Sequence, residues 1–344
     1  EYENGLFTTS EGAIFVLSRS LAAGLWIERA LVRGNRHHRG MKRRRELPPA
    51  LRGRHFTTRS GRHEGVSRKR MRGADLEQPF HGIRSPRLGP ATIATLIAAY
   101  SERMSTAQFF SHVTAAHVHG LPLPRRFATS GVIHICVDDP AERQRVRGTV
   151  AHHARPGTVR LVDIGGYRVA APVDVWRQLS AVLNLDELIV MGDALVGGRR
   201  PLATMAELRT GVARHAGKRG ARRLREALDW VRPGVLSPRE TEIRLLLVRA
   251  GLPEPEVNAP LTDRSGRRIA TGDLVYREYR VLVEYDGEQH RTDEEQYHWD
   301  IDRLDAIMEA DWRVVRLNKT HLRLKSASAV RKVDTALRDR GWRP

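Results

Sequence analysis

Cysteine is almost absent from this sequence, whose 344 residues contain a single one, Cys136. One thiol excludes an intramolecular disulfide framework and a zinc site built from several cysteines. This composition is typical of a reducing compartment, so we expect a cytoplasmic protein. Long apolar runs are also missing: none approaches the roughly 18 residues of a membrane span, and the apolar segment at residues 13–25 is interrupted by Arg19.

Positive charge, in contrast, is abundant, with 59 Lys and Arg against 40 Asp and Glu and a formal net charge of +19. Such a field attracts polyanions, of which nucleic acid is the commonest. The alternative is an arginine-rich composition inherited from a GC-rich genome. Residues 1–80 carry 17 Lys and Arg against 8 acids, whereas residues 235–325 carry 15 against 18. The excess of base therefore lies outside the C-terminal stretch.

The N-terminal region divides into two parts. We interpret residues 1–40 as a non-native or disordered extension, because the first methionine is Met41. Residues 41–84 indicate a winged helix-turn-helix. A short helix from about Phe56 is followed by a turn at Gly65, a second helix capped by Ser67, and a wing strand at residues 80–84.

The second of these helices would begin with positive charges that oppose the helix macrodipole. Cations in such a place indicate an external anion such as a DNA phosphate. A small solvated helix pair is the alternative. The predicted DNA-binding residues are Arg68, Lys69, Arg70 and Arg72.

Residues 85–234 predict a middle α/β domain. Helical patterns at 91–104 and 111–119 are followed by strand-like runs at 132–137, 149–153 and 167–170. His152 and His153 are adjacent on one strand and face opposite ways, which argues against a shared metal ion. The stretch "RPGVLSP" then marks a boundary, because prolines and glycine concentrate there.

The C-terminal region, residues 235–344, opens with a helix signal. Ser237 is a suitable N-cap, Pro238 a suitable first helical residue, and Glu240 the third-position glutamate of a capping box. Glu240 also continues the apolar row of this helix, so its carboxylate can point toward whatever that row covers.

The stretch "DLVYREYRVLVEYDGEQH", residues 273–290, predicts an acidic hairpin. A two-residue turn at 278–279 places Asp273 opposite Glu284, with Asp286 two residues further along the same face. Opposed carboxylates destabilise a sheet unless a cation or a proton intervenes, and hard oxygen ligands suit Mg²⁺ or Mn²⁺. The alternative is neutralisation by a nearby arginine. His290 would lie at the strand's end, where it can act as a general acid or base.

Four segments give this region a specific resemblance. "SPRETEIRLLLVRAG", "GDLVY", "VLVEYDGEQH" and "DIDRLDAIMEADWRVVRL" resemble the very-short-patch-repair branch of the PD-(D/E)XK nuclease superfamily, over residues 236–325. The resemblance implies a restriction-endonuclease-like mixed sheet flanked by helices, and metal-dependent hydrolysis of DNA. The catalytic residues it implies are Glu240, Asp273, Glu284, Asp286 and His290, with Mg²⁺ or Mn²⁺ held by Asp273, Glu284 and Asp286.

Two positions depart from the superfamily pattern. Gly272 replaces the proline before the first aspartate, and Asp286 replaces the lysine. This branch commonly lacks that lysine and carries "DG" followed by a histidine, which Asp286, Gly287 and His290 match. Activation of water would then fall to a bound metal ion or to His290.

A second resemblance concerns the N-terminal part. Residues 56–84, with "SHVTAAHVHGLPLP" after them, are similar to the winged-helix region of AbiEi-type antitoxins. The chain is thus expected to be an α/β protein with three modules that binds DNA. Two functions compete: a DNA endonuclease, and a non-catalytic regulator of antitoxin type that retains a degenerate nuclease fold.

Overall fold

The computed structural model describes residues 45–87, 89–140, 146–286 and 294–344, together with the backbone of three short strands before residue 30. For residues 294–301 and Arg323 the description is limited to the backbone. The predicted extension at 1–40 lies outside the described residues except for those strands. The chain divides into two compact units, Glu1–Leu179 and Ser180–Pro344.

The protein is mixed α/β, as the sequence predicts, with sheets interleaved with helices. In the first unit, β1 (Gly5–Thr8), β2 (Ile14–Ser18) and β3 (Ile27–Arg29) form an antiparallel sheet. A second small sheet has the order β4-β6-β5. Its elements are β4 (Phe56–Thr57), α1 (Thr58–His63), a 3₁₀ turn (Arg70–Arg72), β5 (Leu76–Glu77) and β6 (Ile83–Pro86).

The second helix that we predicted after Ser67 does not form, so this prediction is wrong. The chain forms only the 3₁₀ turn, although the Ser67 hydroxyl does accept a hydrogen bond from the N–H of Arg70. Gly73 has extended dihedral angles and ends the turn. A Cβ at Gly73 would lie 2.6 Å from Oδ1 of Asp75 and 2.7 Å from Nη1 of Arg70, so a larger residue here would have to displace the Arg70–Asp75 ion pair. The helix-turn-helix therefore lacks a recognition helix, whereas a strand does lie where the wing is predicted.

The rest of the first unit is built on a five-stranded mixed sheet of order β10-β11-β7-β8-β9. Three of these strands match the strand runs predicted from the sequence. The strands are β7 (Gln108–Phe110), β8 (Ile133–Val137), β9 (Thr149–His153), β10 (Leu161–Ile164) and β11 (Tyr167–Ala170). The helices are α2 (Ile93–Ser101), α3 (His112–Val118), α4 (Arg125–Ala128) and α5 (Pro172–Leu179).

The second unit opens with four helices. They are α6 (Leu185–Val196), α7 (Met205–Arg214), α8 (Ala221–Trp230) and α9 (Pro238–Arg249). Arg244 of α9 and Asp193 of α6 are fully buried and form a 2.9 Å ion pair. This pair ties α6 to α9 across the proline-rich stretch, so the structure groups α6–α8 with the C-terminal elements and not with the middle region.

A four-stranded mixed sheet, β12-β13-β14-β15, follows these helices. The first three strands are antiparallel, and β15 runs parallel to β14. The strands are β12 (Glu256–Thr262), β13 (Arg268–Tyr276), β14 (Val281–Asp286) and β15 (Arg313–Asn318). The remaining helices are α10 (Glu294–Glu309), α11 (Lys319–Arg323) and α12 (Ser326–Asp339).

Two apolar clusters hold this sheet between helices. One contains Leu247 of α9, Val283 of β14 and Val333 of α12, and the other contains Leu282 of β14 with Ile307 of α10. Successive residues of β14 thus enter opposite clusters, which is the alternation expected of a strand covered on both faces. Within the described part of the chain, no helix combines the length and apolar character needed to cross a bilayer.

Candidate active site

The predicted acids meet in a small pocket of the second unit, hereafter the acidic pocket. Its volume is about 230 Å³, and it lies beside α10 and β15, between Asp273 within β13 and the C-terminal end of β14. The residues that line it are Asp273, Glu284, Tyr285, Asp286, Arg303, Leu304 and Arg316. Three of the five predicted catalytic residues therefore share one cavity.

The hairpin register explains this convergence. Tyr276 pairs with Val281, Val275 with Leu282, and Leu274 with Val283. These pairs confirm the register predicted from a turn at 278–279, in which the next facing positions are Asp273 and Glu284. The turn is closed by hydrogen bonds from Tyr279 and Arg280 N–H, and Arg280 takes a positive φ of 49°.

Asp273 is the most perturbed acid of the pocket. Its Oδ2 accepts a hydrogen bond from the N–H of Tyr285 at 3.0 Å. Burial, followed by the nearby charges of Glu240 and Glu284, raises the pKa of this carboxyl to about 6, against the opposing effects of the Tyr285 N–H and Arg303. A group that changes protonation near neutral pH in a pocket is a candidate for acid–base chemistry.

The other two pocket acids are paired with arginines. Glu284 Oε1 lies 2.6 Å from Nη2 of Arg303, and the same nitrogen donates to the carbonyl oxygen of Thr271 at 2.7 Å. Asp286 Oδ2 lies 3.0 Å from Nη2 of Arg316, and both of these side chains are about half exposed. The neutralisation by arginine that the sequence analysis left open is thus present at Glu284 and Asp286.

Glu240 approaches this group from α9 without lining the pocket. Its buried carboxylate accepts from the N–H of Leu236 at 2.9 Å and from Nδ2 of Asn258 at 2.5 Å. The Ser237 hydroxyl accepts from the N–H of Glu240, as predicted for an N-cap. The reciprocal bond of a capping box is replaced by the bond to Leu236. Glu240 therefore acts on Asp273 through its charge.

Few side chains of the acidic pocket could act as metal ligands. Across the described residues, no group of three or more His, Cys, Asp and Glu side chains has the spacing to hold a metal ion. His290 lies outside the described residues. Asp273 and Glu284 are the pair of carboxylates that the register brings face to face.

Gly272, which precedes Asp273, has a packing reason for lacking a side chain. A Cβ at this position would overlap Cδ1 of Leu282 and lie 3.1 Å from Cγ2 of Val275. Gly272 therefore allows the two strands to pack closely beside Asp273.

The predicted DNA-binding residues lie in the first unit and have unequal surroundings. Arg68, Lys69 and Arg72 are exposed. Arg70 is held by both oxygens of Asp75, at 3.0 and 2.7 Å, and by the carbonyl oxygen of Arg45. Arg70 therefore stabilises its own turn, and three of the four predicted cations remain exposed to solvent.

Sequence reasoning missed three residues of the site: Asn258, Arg303 and Arg316. Each is recruited from an element whose position relative to the hairpin depends on tertiary packing. For Arg316 a signal was available in the sequence. Facing residues of opposite charge favour a strand register, and Arg316 faces Glu284 in the parallel pairing of β14 with β15.

Comparisons with known proteins identify relatives but no family. The chain is 29% identical over 206 residues to the uncharacterized protein Rv2248 of Mycobacterium tuberculosis strain H37Rv and to the uncharacterized protein MT2308 of strain CDC 1551 / Oshkosh. Each match covers 59% of this chain and 71% of the relative. No family model matches the chain. No solved structure matches it either.

Proposed function

We propose that the chain is a metal-dependent endonuclease that hydrolyses phosphodiester bonds of DNA in the acidic pocket. The observation that carries this proposal is the pair Asp273 and Glu284. The two carboxylates are the next positions beyond the paired Leu274 and Val283 of the hairpin, and the pKa of Asp273 is raised to about 6. A hairpin with a purely structural role has no need of opposed acids, because like charges in facing positions destabilise it.

The arrangement of elements supports the same proposal. Helix α9, the β13–β14 hairpin, helix α10 and strand β15 follow one another in the order that the resemblance to very-short-patch-repair nucleases implies. The sheet is mixed and covered by helices on both faces. The positions matching the nuclease motif fall at one end of the hairpin, inside a cavity.

The carboxylates present fit a hard divalent cation. Mg²⁺ commonly takes only one or two carboxylates and completes its shell with water and substrate phosphate. Asp273 and Glu284 would hold it, since Arg303 engages Oε1 of Glu284 and a carboxylate has further acceptor capacity at its second oxygen. When bound, Mg²⁺ or Mn²⁺ would polarise the scissile phosphate and lower the pKa of the attacking water.

The chain's own residues have distinct roles in this proposal. Arg303 and Arg316 place guanidinium groups at the pocket, where they can bind phosphate oxygens. Asp273 loses its proton above about pH 6, and in this ionised form it would hold the cation together with Glu284. Asp286 lines the pocket where the superfamily has its lysine and can orient that water. Glu240 is a positioning residue that acts through its charge on Asp273.

A second candidate function is a DNA-binding regulator of antitoxin type without catalysis. Its support is that Glu284 and Asp286 are each paired with an arginine. A pocket neutralised in this way can persist as a structural remnant. DNA binding would then rest on basic surfaces, including the exposed Arg68, Lys69 and Arg72.

Nicking of supercoiled plasmid separates the two candidates. The full chain is incubated with Mg²⁺ or Mn²⁺ beside Asp273→Asn and Glu284→Gln, with Glu278→Gln as the matched control because Glu278 is an exposed acid on the same hairpin. We expect the wild type and the control to nick the plasmid and both pocket variants to fail. His290→Ala, tested alongside, measures the predicted contribution of that residue.

Two results would favour the regulator. One is the lack of metal-dependent nicking by the wild type on plasmid and linear DNA while DNA binding persists. The other is nicking that survives in both pocket variants, which would assign the activity to a contaminant.

A further inference from the structure

A basic groove follows the outer edge of the four-stranded sheet in the second unit. It has a volume of about 760 Å³ and lies between β15, the end of α10 and one face of α12. Strand β15 is the last strand of the sheet, so the groove runs along a strand edge that no further strand of this sheet covers. The cations that line it are Arg313, Arg316, Arg331, Lys332 and Arg340.

The charges of the basic groove are only partly compensated. Arg340 is held by Asp311 at 3.0 Å, and Arg316 by Asp286 at 3.0 Å. Among the described residues, no carboxylate lies within ion-pair distance of Arg313, Arg331 or Lys332, and all three are exposed. Three cations without an internal counter-ion on one surface favour an external anion.

Helix α12 presents a row of polar donors to this groove. Ser328, Arg331, Lys332 and Thr335 line it, at the spacing of one helical face. Nζ of Lys332 lies 3.1 Å from Nε2 of His321, an imidazole whose pKa is lowered by burial and by Lys332 and Lys325. A neutral His321 accepts a hydrogen bond from the ammonium and so fixes its position. Hydroxyls and cations together are the groups that most often contact DNA phosphates.

The aromatic content of the groove argues for a duplex. Grooves that bind single strands expose aromatic rings on which bases stack. Trp312 lines the basic groove but is only 3% exposed. The surface thus offers contacts to a backbone and no platform for unpaired bases.

Arg316 lines both the basic groove and the acidic pocket. We propose that the basic groove binds the phosphate backbone of duplex DNA and leads that backbone past Arg316 into the acidic pocket. The inference rests on the proposed function for the identity of the polyanion as DNA. It adds a phosphate-binding surface beyond the cations at residues 68–72.

The test is a salt titration of duplex binding by the full chain in EDTA, where no metal-dependent cleavage can occur. A labelled duplex is bound to the wild type and to Arg313→Gln/Arg331→Gln/Lys332→Gln. The control is Arg209→Gln/Arg222→Gln/Arg225→Gln, which removes the same charge from exposed residues of α7 and α8. Thermal melting of both variants establishes that they fold.

The slope of log affinity against log salt should become less negative in the groove variant. The expected change is about 0.9 for each phosphate that the variant no longer neutralises, so roughly 2.7 for three phosphates. The control should keep the wild-type slope. An unchanged slope in the groove variant, an equal change in the control, or tighter binding of single strands than of duplex would overturn the proposal.

An acidic peptide is the competing occupant, because an open strand edge can accept another strand. If the groove variant loses binding of polyglutamate and keeps the duplex slope, the groove is a protein-docking surface and the proposal is wrong. The salt titration and the nicking assay can succeed or fail independently, because the titration measures DNA binding and the nicking assay measures cleavage. A changed slope without any nicking would leave the groove as the DNA-binding surface of a regulator.

Discussion

The carboxylate of Asp273 accepts a hydrogen bond from the backbone N–H of Tyr285, with 3.0 Å between Oδ2 and N. This bond ties the side chain of one hairpin strand to the backbone of the other. It holds Asp273 beside Glu284 although both carry acidic groups, and burial and the neighbouring charges then raise the pKa of Asp273 to about 6. The hairpin therefore keeps an unfavourable charge arrangement at the pocket.

Asp273→Asn should stabilise the protein at pH 8. The folded-state pKa of Asp273, about 6, lies above the ordinary value of 3.8. Its contribution to stability is therefore fully present below about pH 4 and is lost as the pH rises through about 6. Above that pH we expect the variant to be more stable by roughly 1 to 3 kcal/mol, and near pH 4 the difference should vanish. Urea unfolding across this range measures it.

Metal ions add a second readout for the same variant. Mn²⁺ should raise the melting temperature of the wild type, because a ligand that binds only the folded state stabilises it. Asp273→Asn should show a much smaller rise. Equal rises in both proteins would contradict the assignment of Asp273 as a metal ligand.

Arg303→Gln should destabilise the second unit and raise the pKa of Asp273. The substitution removes the 2.6 Å ion pair from Glu284, whose side chain is only 13% exposed. Loss of a partner from a largely buried acid costs about 1 to 3 kcal/mol. It also removes a charge that lowers the pKa of Asp273, so that pKa should rise further. Thermal melting measures the loss of stability, and its dependence on pH measures the rise in the pKa of Asp273.

Arg316→Gln is the matched control for Arg303→Gln. Its pair with Asp286 lies at the surface, with side chains 54% and 46% exposed. Such pairs contribute less than about 1 kcal/mol. If both variants lose the same stability, the Glu284–Arg303 pair has no special importance for the pocket.

The register of the hairpin could be predicted because local rules determine it. A short turn leaves few ways to pair the strands, and a shift by one residue would exchange the side chains that enter the two apolar clusters. Leu274 and Val283 lie in one cluster, and Val275 and Leu282 lie in the other. The relative placement of Asp273, Glu284 and Asp286 followed from sequence alone.

Strand β12 could not be predicted in the same way. It contains Pro260, and a proline normally argues against a strand assignment. The residue is tolerated because β12 is the edge strand of its sheet. Position in the sheet is a tertiary property, so the sequence pattern misses it.

In helix α10 the sequence pattern predicts the wrong buried residue at the end of the apolar row. The apolar residues Tyr297, Ile301, Leu304 and Met308 predict a buried row that ends at Met308. In the structure Met308 is 54% exposed and its neighbour Ile307 is buried. Met308 lines the basic groove instead. Packing against β13 and β14 decides which of two adjacent apolar residues is covered, because Ile307 lies in the cluster with Val275 and Leu282.

Asp193→Asn should be strongly destabilising. The buried carboxylate of Asp193 accepts from Arg244 at 2.9 Å, from the Thr241 hydroxyl at 2.8 Å and from the N–H of Arg232 at 2.7 Å. The substitution leaves Arg244 without its fully buried counter-ion, although Glu254 still accepts from it at 3.0 Å. Breaking a buried pair costs about 3 to 5 kcal/mol. Urea unfolding measures the loss.

Asp186→Asn is the control for this pair. Asp186 binds Arg249 with two hydrogen bonds, yet its side chain is 53% exposed. We expect a loss below about 1 kcal/mol. A loss of similar size in both variants would show that burial does not make the Asp193–Arg244 pair contribute more to stability than the exposed Asp186–Arg249 pair.

Three histidines of the first unit form a stacked cluster. The rings of His112 and His152 have centroids 3.6 Å apart, and Nδ1 of His134 lies 3.0 Å from Nε2 of His152. His153 points away and reaches the carbonyl oxygen of Asp138, so adjacent histidines do face opposite ways. Burial, and then the charges of His152 and His134, lower the pKa of His112 to about 2.

The stability of the first unit should therefore fall on acidification, and His112→Asn should weaken that fall. The unfolded chain binds a proton at His112 below about pH 6.5 while the folded protein does not, so stability is complete above this pH and decreases below it. The loss is at most about 1.4 kcal/mol per pH unit for each such histidine. Asparagine suits this position because His112 has a positive φ of 49°.

Hydrogen exchange of peptides from β8 and β9 between pH 7 and pH 5, corrected for the intrinsic pH dependence, measures how steeply the stability of the first unit falls with pH. His63→Asn should keep the wild-type slope because that side chain is 88% exposed; an equal slope in His112→Asn would mean that the cluster does not titrate on unfolding.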